Sequence, residues 1–202
     1  MKNKTDNKNI AAKLKIRRYF LNRYHTDEPP RVLDCCAGGE ILWTLLRGEF
    51  TVKSYWPLDI KRKSGRLNLD SVLVLSRSGW SQNVIDIDTY GGPWKHYAAM
   101  LPNVTQDTTV FLTIGNRNIT SGADPPKNIT QLELDAIGIG ELLSEVSPGH
   151  RAMLLLRQHD FILRTMLKAA ESFCEIKECA EVRCLQATRY VGLRLKPKNK
   201  KA

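Results

Sequence analysis

Short apolar runs alternate with helical patterns along the chain, and this alternation is its strongest structural signal. Seven runs have the length and β-type composition of strands, at residues 31–35, 51–58, 66–70, 83–88, 108–114, 175–183 and 186–195. Helical spacing predicts helices at residues 9–24, 41–47, 72–78, 94–100, 129–146 and 151–173. Strands that alternate with helices indicate a parallel sheet with right-handed crossovers. The last two strands have few residues between them and should pair antiparallel.

Length and composition are those of one folded domain with short extensions. Of the 202 residues, 42% are hydrophobic, which is enough for a core. No run of about 18 apolar residues predicts a transmembrane helix. The polar N-terminus is unlike a signal peptide, so we expect a cytoplasmic location. The five cysteines include the adjacent pair Cys35 and Cys36, which favours reduced thiols over disulfides or a metal site.

The net charge of +10 is concentrated at the two ends of the chain. Segments 1–24 and 189–202 carry +7 and +6, so the rest is mildly acidic. Basic ends suit a polyanion, and we predict RNA or DNA as the partner. A solvated helix and tail that only aid solubility are the alternative. The predicted organisation is a basic helical extension, a folded domain and a disordered basic tail, at residues 1–28, 29–195 and 196–202.

Acidic residues follow three of the predicted strands. Asp34 precedes the turn Ala37-Gly38-Gly39, Asp59 ends the second strand, and Asp70 ends the third, before Ser71. Open α/β sheets bind ligands outside the carboxyl ends of their strands, and glycines let the backbone approach a ligand closely. Each feature also has a simpler interpretation. The glycines could form only a strand-to-helix turn, Asp59 a turn, and Asp70 a helix N-cap.

The run Asp86-Ile-Asp88-Thr-Tyr90-Gly-Gly-Pro93 combines two carboxylates with an aromatic ring. An aromatic amine is a poor nucleophile because its lone pair is delocalised. A carboxylate that accepts its N–H bonds returns electron density to nitrogen, and Asp88 is the candidate acceptor. Tyr90 would stack on a target base and orient it, after extrusion if the base lies in a duplex. Alternatively, Asp86 and Asp88 cap the next helix and Tyr90 is a lid residue.

Taken together, these features resemble class I S-adenosylmethionine-dependent methyltransferases. The loop is most similar to the Asp-x-Asp-Pro-Tyr/Phe-Gly-Ser-Pro run of tRNA guanine-N2 dimethyltransferases, with Thr89 for the first proline and Gly92 for the serine. The resemblance implies a three-layer, Rossmann-like α/β fold. Its sheet would have seven mostly parallel strands and a C-terminal antiparallel hairpin. A dinucleotide-binding dehydrogenase is the competing interpretation, but the chain lacks Gly-x-Gly-x-x-Gly at the turn.

The resemblance also implies a cofactor, S-adenosyl-L-methionine, and a role for each candidate residue. The implied cofactor-binding residues are Asp34, Ala37, Gly38, Gly39, Asp59, Asp70 and Ser71. The implied catalytic residues are Asp86, Asp88 and Tyr90, and the implied substrate-binding residues are Tyr90, Gly91 and Pro93. The predicted function is methylation of an exocyclic amine of a nucleobase in RNA or DNA. The alternatives are a methyltransferase for a small molecule or protein, and a non-catalytic module that binds nucleic acid.

Overall fold

The fold comes from a computed structural model, which describes residues 9–39, 41–62, 64–89, 92–114, 167–184 and 188–198. The helices are Ile10–Tyr24 (α1), Ile41–Glu49 (α2), Ser71–Leu75 (α3) and Trp94–Met100 (α4), followed by a 3-10 turn at Leu101–Asn103. Residues 167–171 are also helical. The strands are Arg31–Asp34 (β1), Ser54–Pro57 (β2), Val84–Ile87 (β3), Thr108–Ile114 (β4), Cys174–Arg183 (β5) and Arg189–Pro197 (β6).

The strands form one mixed sheet in the order β2-β1-β3-β4-β6-β5. Strands β1 to β4 are parallel, whereas β6 is antiparallel to both β4 and β5. The predicted parallel sheet with a C-terminal hairpin is therefore confirmed. Strands β3 and β4 are buried at every position, as expected of parallel strands covered on both faces.

One predicted strand is wrong. Residues 66–70 contribute a single bridge, between Leu58 and Leu67, so the sheet has six strands within the described residues instead of seven. Alternating Leu67 and Leu69 suggested a half-buried strand, but these side chains are 44% and 49% exposed. Side-chain burial is what usually favours a strand, and here little burial is gained.

Helices cover both faces of the sheet, and alternate strand residues belong to different cores. Leu33 and Ile85 pack with residues of α3 and α4. Their neighbours Val32 and Val84 pack with residues of α1 and α2. This is the period-two geometry of a strand, in which successive side chains point to opposite faces.

Helix α1 was predicted to be part of an extension, but it packs against the sheet in the core that contains Val32 and Val84. Phe20 and Leu21 are buried, and the ring of Phe20 lies over Gly192 of β6. A Cβ atom at Gly192 would lie 2.3 Å from Cε2 of Phe20. A glycine within the strand thus lets the helix approach the sheet closely.

Strand β6 runs to Pro197, so Lys196 and Pro197 belong to the sheet and not to the predicted disordered tail. The predicted helix at 129–146 and most of that at 151–173 lie outside the described residues. Within the described part of the chain, no helix is long and apolar enough to span a membrane.

Candidate functional site

The carboxyl ends of β1, β2 and β3 meet at one edge of the sheet, and most of the candidate acids lie there. Asp34 and Asp86 are register partners on β1 and β3. The N–H of Leu58, the residue before Asp59, donates to the carbonyl oxygen of Asp34 at 2.8 Å. The N–H of Ala37 donates to the carbonyl oxygen of Leu58 at 2.9 Å. These bonds hold the start of the glycine turn against the end of β2.

Four carboxylates lie close enough to Cys36 to act on its thiol. Burial, followed by the charges of Asp34, Asp88, Asp59 and Asp86, raises the pKa of the Cys36 thiol. A carboxylate perturbs a neighbour's pKa in this way only over a short distance. Asp34 and Asp59 thus lie at one edge of the sheet with Asp86 and Asp88 beside them, and the predicted cofactor contacts of Asp34, Asp59 and Asp70 stay predictions.

Asp34 is a buried carboxyl group with polar but uncharged partners. The hydroxyl of Tyr55 donates to Oδ2 at 2.9 Å, and the N–H of Cys36 donates to Oδ1 at 3.3 Å. Burial, and then repulsion by Asp86, raises the pKa of Asp34 well above its usual range. No ion pair within the described residues includes Asp34. A positively charged ligand group would relieve this unfavourable burial.

Asp86 is fully buried and bound by residues of two helices. Nε and Nη2 of Arg17 donate to Oδ2 and Oδ1 of Asp86 at 2.7 and 2.6 Å, and Nε1 of Trp43 donates to Oδ2 at 2.7 Å. Both carboxylate oxygens are therefore engaged inside the protein. Asp86 therefore links β3, α1 and α2, and its catalytic role stays a prediction.

Asp88 follows β3 and is more accessible, with 21% of its side chain exposed. Nζ of Lys13 lies 2.5 Å from its Oδ2 atom. Burial alone would raise the pKa of Asp88, but the charges of Lys13 and Arg17 outweigh burial and the net shift is downward. Asp88 is thus an ionised carboxylate at neutral pH, as an acceptor of N–H bonds must be.

Asp70, at the end of the predicted strand at residues 66–70, caps a helix. Its Oδ1 atom accepts a hydrogen bond from the N–H of Val72 at 2.9 Å, so Asp70 is the N-cap of α3. This was the simpler interpretation of that residue, and its implied contact with the cofactor stays a prediction. Oγ of the buried Ser71 lies 2.9 Å from Nε2 of His96 on α4.

The two glycine-containing loops are described only in part. Gly38 has a φ of +46°, a conformation that favours glycine, and Gly39 is exposed. Pro93 is buried at the start of α4. Tyr90 and Gly91 lie outside the described residues, so their roles stay predictions. Among the described residues, no cluster of His, Cys, Asp or Glu could hold a metal ion.

Several solved structures resemble this geometry. Trm1 from Pyrococcus horikoshii, in complex with S-adenosyl-L-methionine, is 17% identical over 96% of this chain and 55% of its own, with a TM-score of 0.56. A putative hemolysin from Streptococcus thermophilus is 11% identical over 92% of this chain and 66% of its own, with a TM-score of 0.52. The plantazolicin methyltransferase BamL, in complex with a desmethyl analogue and SAH, is 12% identical over 95% of this chain and 86% of its own, with a TM-score of 0.50.

The chain has the fold of class I methyltransferases. It spans about half the length of the Trm1 chain. No protein-family model and no curated protein sequence matches it significantly. At these identities the likeness establishes the fold and leaves activity to be argued from the site.

The residues that bind these acids are not among the predicted site residues. They are Lys13, Arg17, Trp43 and Tyr55. Arg17 could have been found, because it lies on the helical face that also carries Ile10, Leu14 and Leu21. An arginine on an apolar helical face needs a buried acid as partner, and Asp86 within an apolar strand needs a buried base.

Proposed function

We propose that the protein binds S-adenosylmethionine and methylates an exocyclic amine of a nucleobase in RNA or DNA. One observation carries the proposal: at the carboxyl edge of the sheet, three carboxylates lie near two cations. Asp34, Asp86 and Asp88 all lie close enough to Arg17 to raise its pKa against the effect of burial, and Lys13 pairs with Asp88. With Asp34 ionised, as it would be beside a bound ammonium, the excess charge is negative. S-adenosylmethionine carries an ammonium, a sulfonium and one carboxylate, so its net charge is positive. A dinucleotide would instead bring phosphates to this edge.

The residues at the edge fit the cofactor group by group. Asp34, a buried acid that forms no ion pair with a described residue, would bind the ammonium. The turn at 37–39 would contact the methionyl portion through its backbone, and Asp59 would accept bonds from the ribose hydroxyls. Asp70 and Ser71 would border the adenine. The Trm1 structure, which shares the fold, contains S-adenosyl-L-methionine. When bound, the cofactor supplies an electrophilic methyl group.

Asp88 would assist the target amine. It is ionised and partly exposed at the end of β3. By accepting an N–H bond it would raise the electron density at a nitrogen whose lone pair is delocalised into the base. The amine would share the carboxylate with Lys13, which already occupies Oδ2. Tyr90, two residues later, would stack on the base, with Gly91 and Pro93 completing the substrate loop.

The proposal is tested by separating cofactor binding from methyl transfer. Titration calorimetry with S-adenosylmethionine should show binding that Asp34→Asn and Asp59→Asn each weaken by about tenfold or more, since each removes a charged acceptor. Asp88→Asn should retain cofactor binding but lose transfer of labelled methyl groups to total RNA or DNA. Glu49→Gln, which changes an exposed acid of α2, is the matched control.

Each outcome has a definite meaning. A wild-type protein that binds no S-adenosylmethionine would refute the proposal and favour a non-catalytic module. Transfer only to a small molecule or a protein would refute the nucleobase substrate while retaining the cofactor. Full transfer activity in Asp88→Asn would remove the role assigned to that carboxylate.

A further inference from the structure

The basic charge of α1 is largely neutralised inside the protein. Four of its cationic side chains form ion pairs with acids of the domain, namely Lys13 with Asp88, Arg17 with Asp86, Arg18 with Glu49 and Arg23 with Glu178. Within the helix only Lys15 is left without an ion pair to a described residue. A polyanion would therefore compete with these acids for the cations of α1, the helix that was the predicted contact.

A second basic segment lies beside the acidic edge. Lys61 and Arg62 follow Asp59 directly after Ile60, and Arg66 completes the segment. Lys61 and Arg62 are exposed and have no acidic partner within the part of the chain that the structure describes. These cations are thus available to a ligand at the mouth of the proposed site.

Hydrogen bonds fix both ends of this loop. The N–H of Asp59 donates to the carbonyl oxygen of Leu67 at 3.1 Å, and the N–H of Leu67 donates to that of Pro57 at 2.9 Å. Nδ2 of Asn68 donates to the carbonyl oxygen of Ile60 at 2.9 Å. Gly65, with a φ of +76°, allows the chain to reverse. The basic side chains are consequently presented from a defined position at the carboxyl edge.

We infer that Lys61 and Arg62 bind backbone phosphates of the nucleic-acid substrate beside the cofactor site. The inference rests on the proposed function, because it assigns the polyanion to the substrate of that site. An acidic edge repels a polyanion, so the substrate needs cations near the point of reaction. The fixed loop supplies them next to Asp59. Exposed Ile60 lies between the acid and the cations, where it can contact a sugar or base.

The experiment is a salt titration of RNA binding. Fluorescence anisotropy of a short fluorescein-labelled stem–loop RNA is measured at several KCl concentrations, without cofactor. The test variant is Lys61→Gln/Arg62→Gln. The matched control is Lys53→Gln/Lys168→Gln, which removes two exposed lysines outside this loop that form no ion pair with a described residue. Both variants change the net charge equally.

Loss of two phosphate contacts should make the log–log salt slope shallower by about 1.4 to 1.8 and weaken binding by about tenfold or more at about 0.1 M salt. The control should change the slope and affinity much less. Lys61→Arg/Arg62→Lys, which keeps both charges, should bind like the wild type. Equal losses in the test and control variants would overturn the inference. So would wild-type protein that binds phosphatidylserine vesicles through these residues but does not bind RNA.

The inference and the proposed function can fail separately. If S-adenosylmethionine binds and methyl transfer occurs while the test variant binds RNA like the wild type, only the role of the loop is wrong. If RNA binding depends on Lys61 and Arg62 but calorimetry detects no cofactor, the loop is a nucleic-acid surface and the methyltransferase proposal is wrong.

Discussion

The ion pair between Arg17 and Asp86 should be among the most important single contributions to stability. Arg17 is 1% exposed and Asp86 is fully buried. Arg17→Met keeps an unbranched side chain but removes the charge and both hydrogen bonds, of 2.7 and 2.6 Å. Asp86 would then keep only the bond from Nε1 of Trp43, and its charge would be buried without a counterion.

The expected loss can be worked from the burial. Removing one partner of a buried ion pair costs about 3–5 kcal/mol, mainly because the other charge is left uncompensated. That is a large share of the roughly 5–15 kcal/mol by which a domain is stable. Asp86→Asn should cost less than Arg17→Met, because Asp88 and Asp34 still lie close enough to Arg17 to act on its charge. The double variant Arg17→Met/Asp86→Asn removes both charges, so its loss should fall short of the summed losses by at least about 2 kcal/mol.

Urea denaturation followed by tryptophan fluorescence at neutral pH measures these free energies of unfolding. Arg18→Met is the matched control, because Arg18 binds Glu49 with two bonds of the same length on the surface of the same helix. Water and salt screen that pair, so its loss should matter little. The reasoning is refuted if the double variant loses the sum of the two single losses. It is also refuted if Arg18→Met and Arg17→Met are equally destabilised.

Three further predictions concern local features. Burial, and then Arg194, lowers the pKa of His25 to about 4. Between that value and about 6.5 the unfolded chain binds more protons, so stability should fall by up to about 3 kcal/mol as the pH drops through this window. Urea midpoints at several pH values should show this fall, and His25→Gln should reduce it; an undiminished pH dependence would exclude His25 as a cause. Asp70→Ala removes the α3 cap and should cost about 1 kcal/mol, whereas Asp70→Asn should cost little; equal midpoint shifts in denaturation would contradict the cap. Gly192→Ala places a Cβ atom against an aromatic ring of α1 and should cost about 1–3 kcal/mol in calorimetric unfolding. Gly48→Ala, with nothing within 4 Å of its Cβ, should not destabilise α2.

Local sequence patterns predicted most helices and strands, because the hydrophobic spacing and composition within an element indicate its type. Strand β4 and helix α4 have the bounds that β-type composition and helical spacing indicated. Residues 66–70 show the same alternation as a true strand, but strand formation also needs a neighbour and burial. Within residues 66–70, only Leu67 forms a β-bridge. The distinction depends on what covers the edge of the sheet, which no short stretch of sequence specifies.

The site was predictable to the extent that sheet geometry determines it. Parallel strands bring their carboxyl ends to one edge, so the positions of Asp34 and Asp59 after strands predicted that they lie at the same edge. Asp70, the third acid predicted to lie there, is the N-cap of α3. The partners of these acids did not follow. Arg17 and Asp86 are 69 residues apart, and Lys13 and Asp88 are 75 residues apart. Contacts at such separations arise from the packing of α1 on the sheet and not from a local pattern.

The pairing changes the meaning of the net charge. In sequence, a basic N-terminus and an acidic body look like a binding arm attached to a domain. In the fold, the cations of α1 balance acids of the body, so the charge of a segment predicts binding only after its internal partners are taken into account. Among the described residues near the carboxyl edge, this balance leaves Asp34 without a cation and the pair Lys61 and Arg62 without an acid. A positively charged cofactor at Asp34 and a polyanionic substrate at Lys61 and Arg62 would neutralise these charges. The two proposals therefore follow from one electrostatic arrangement.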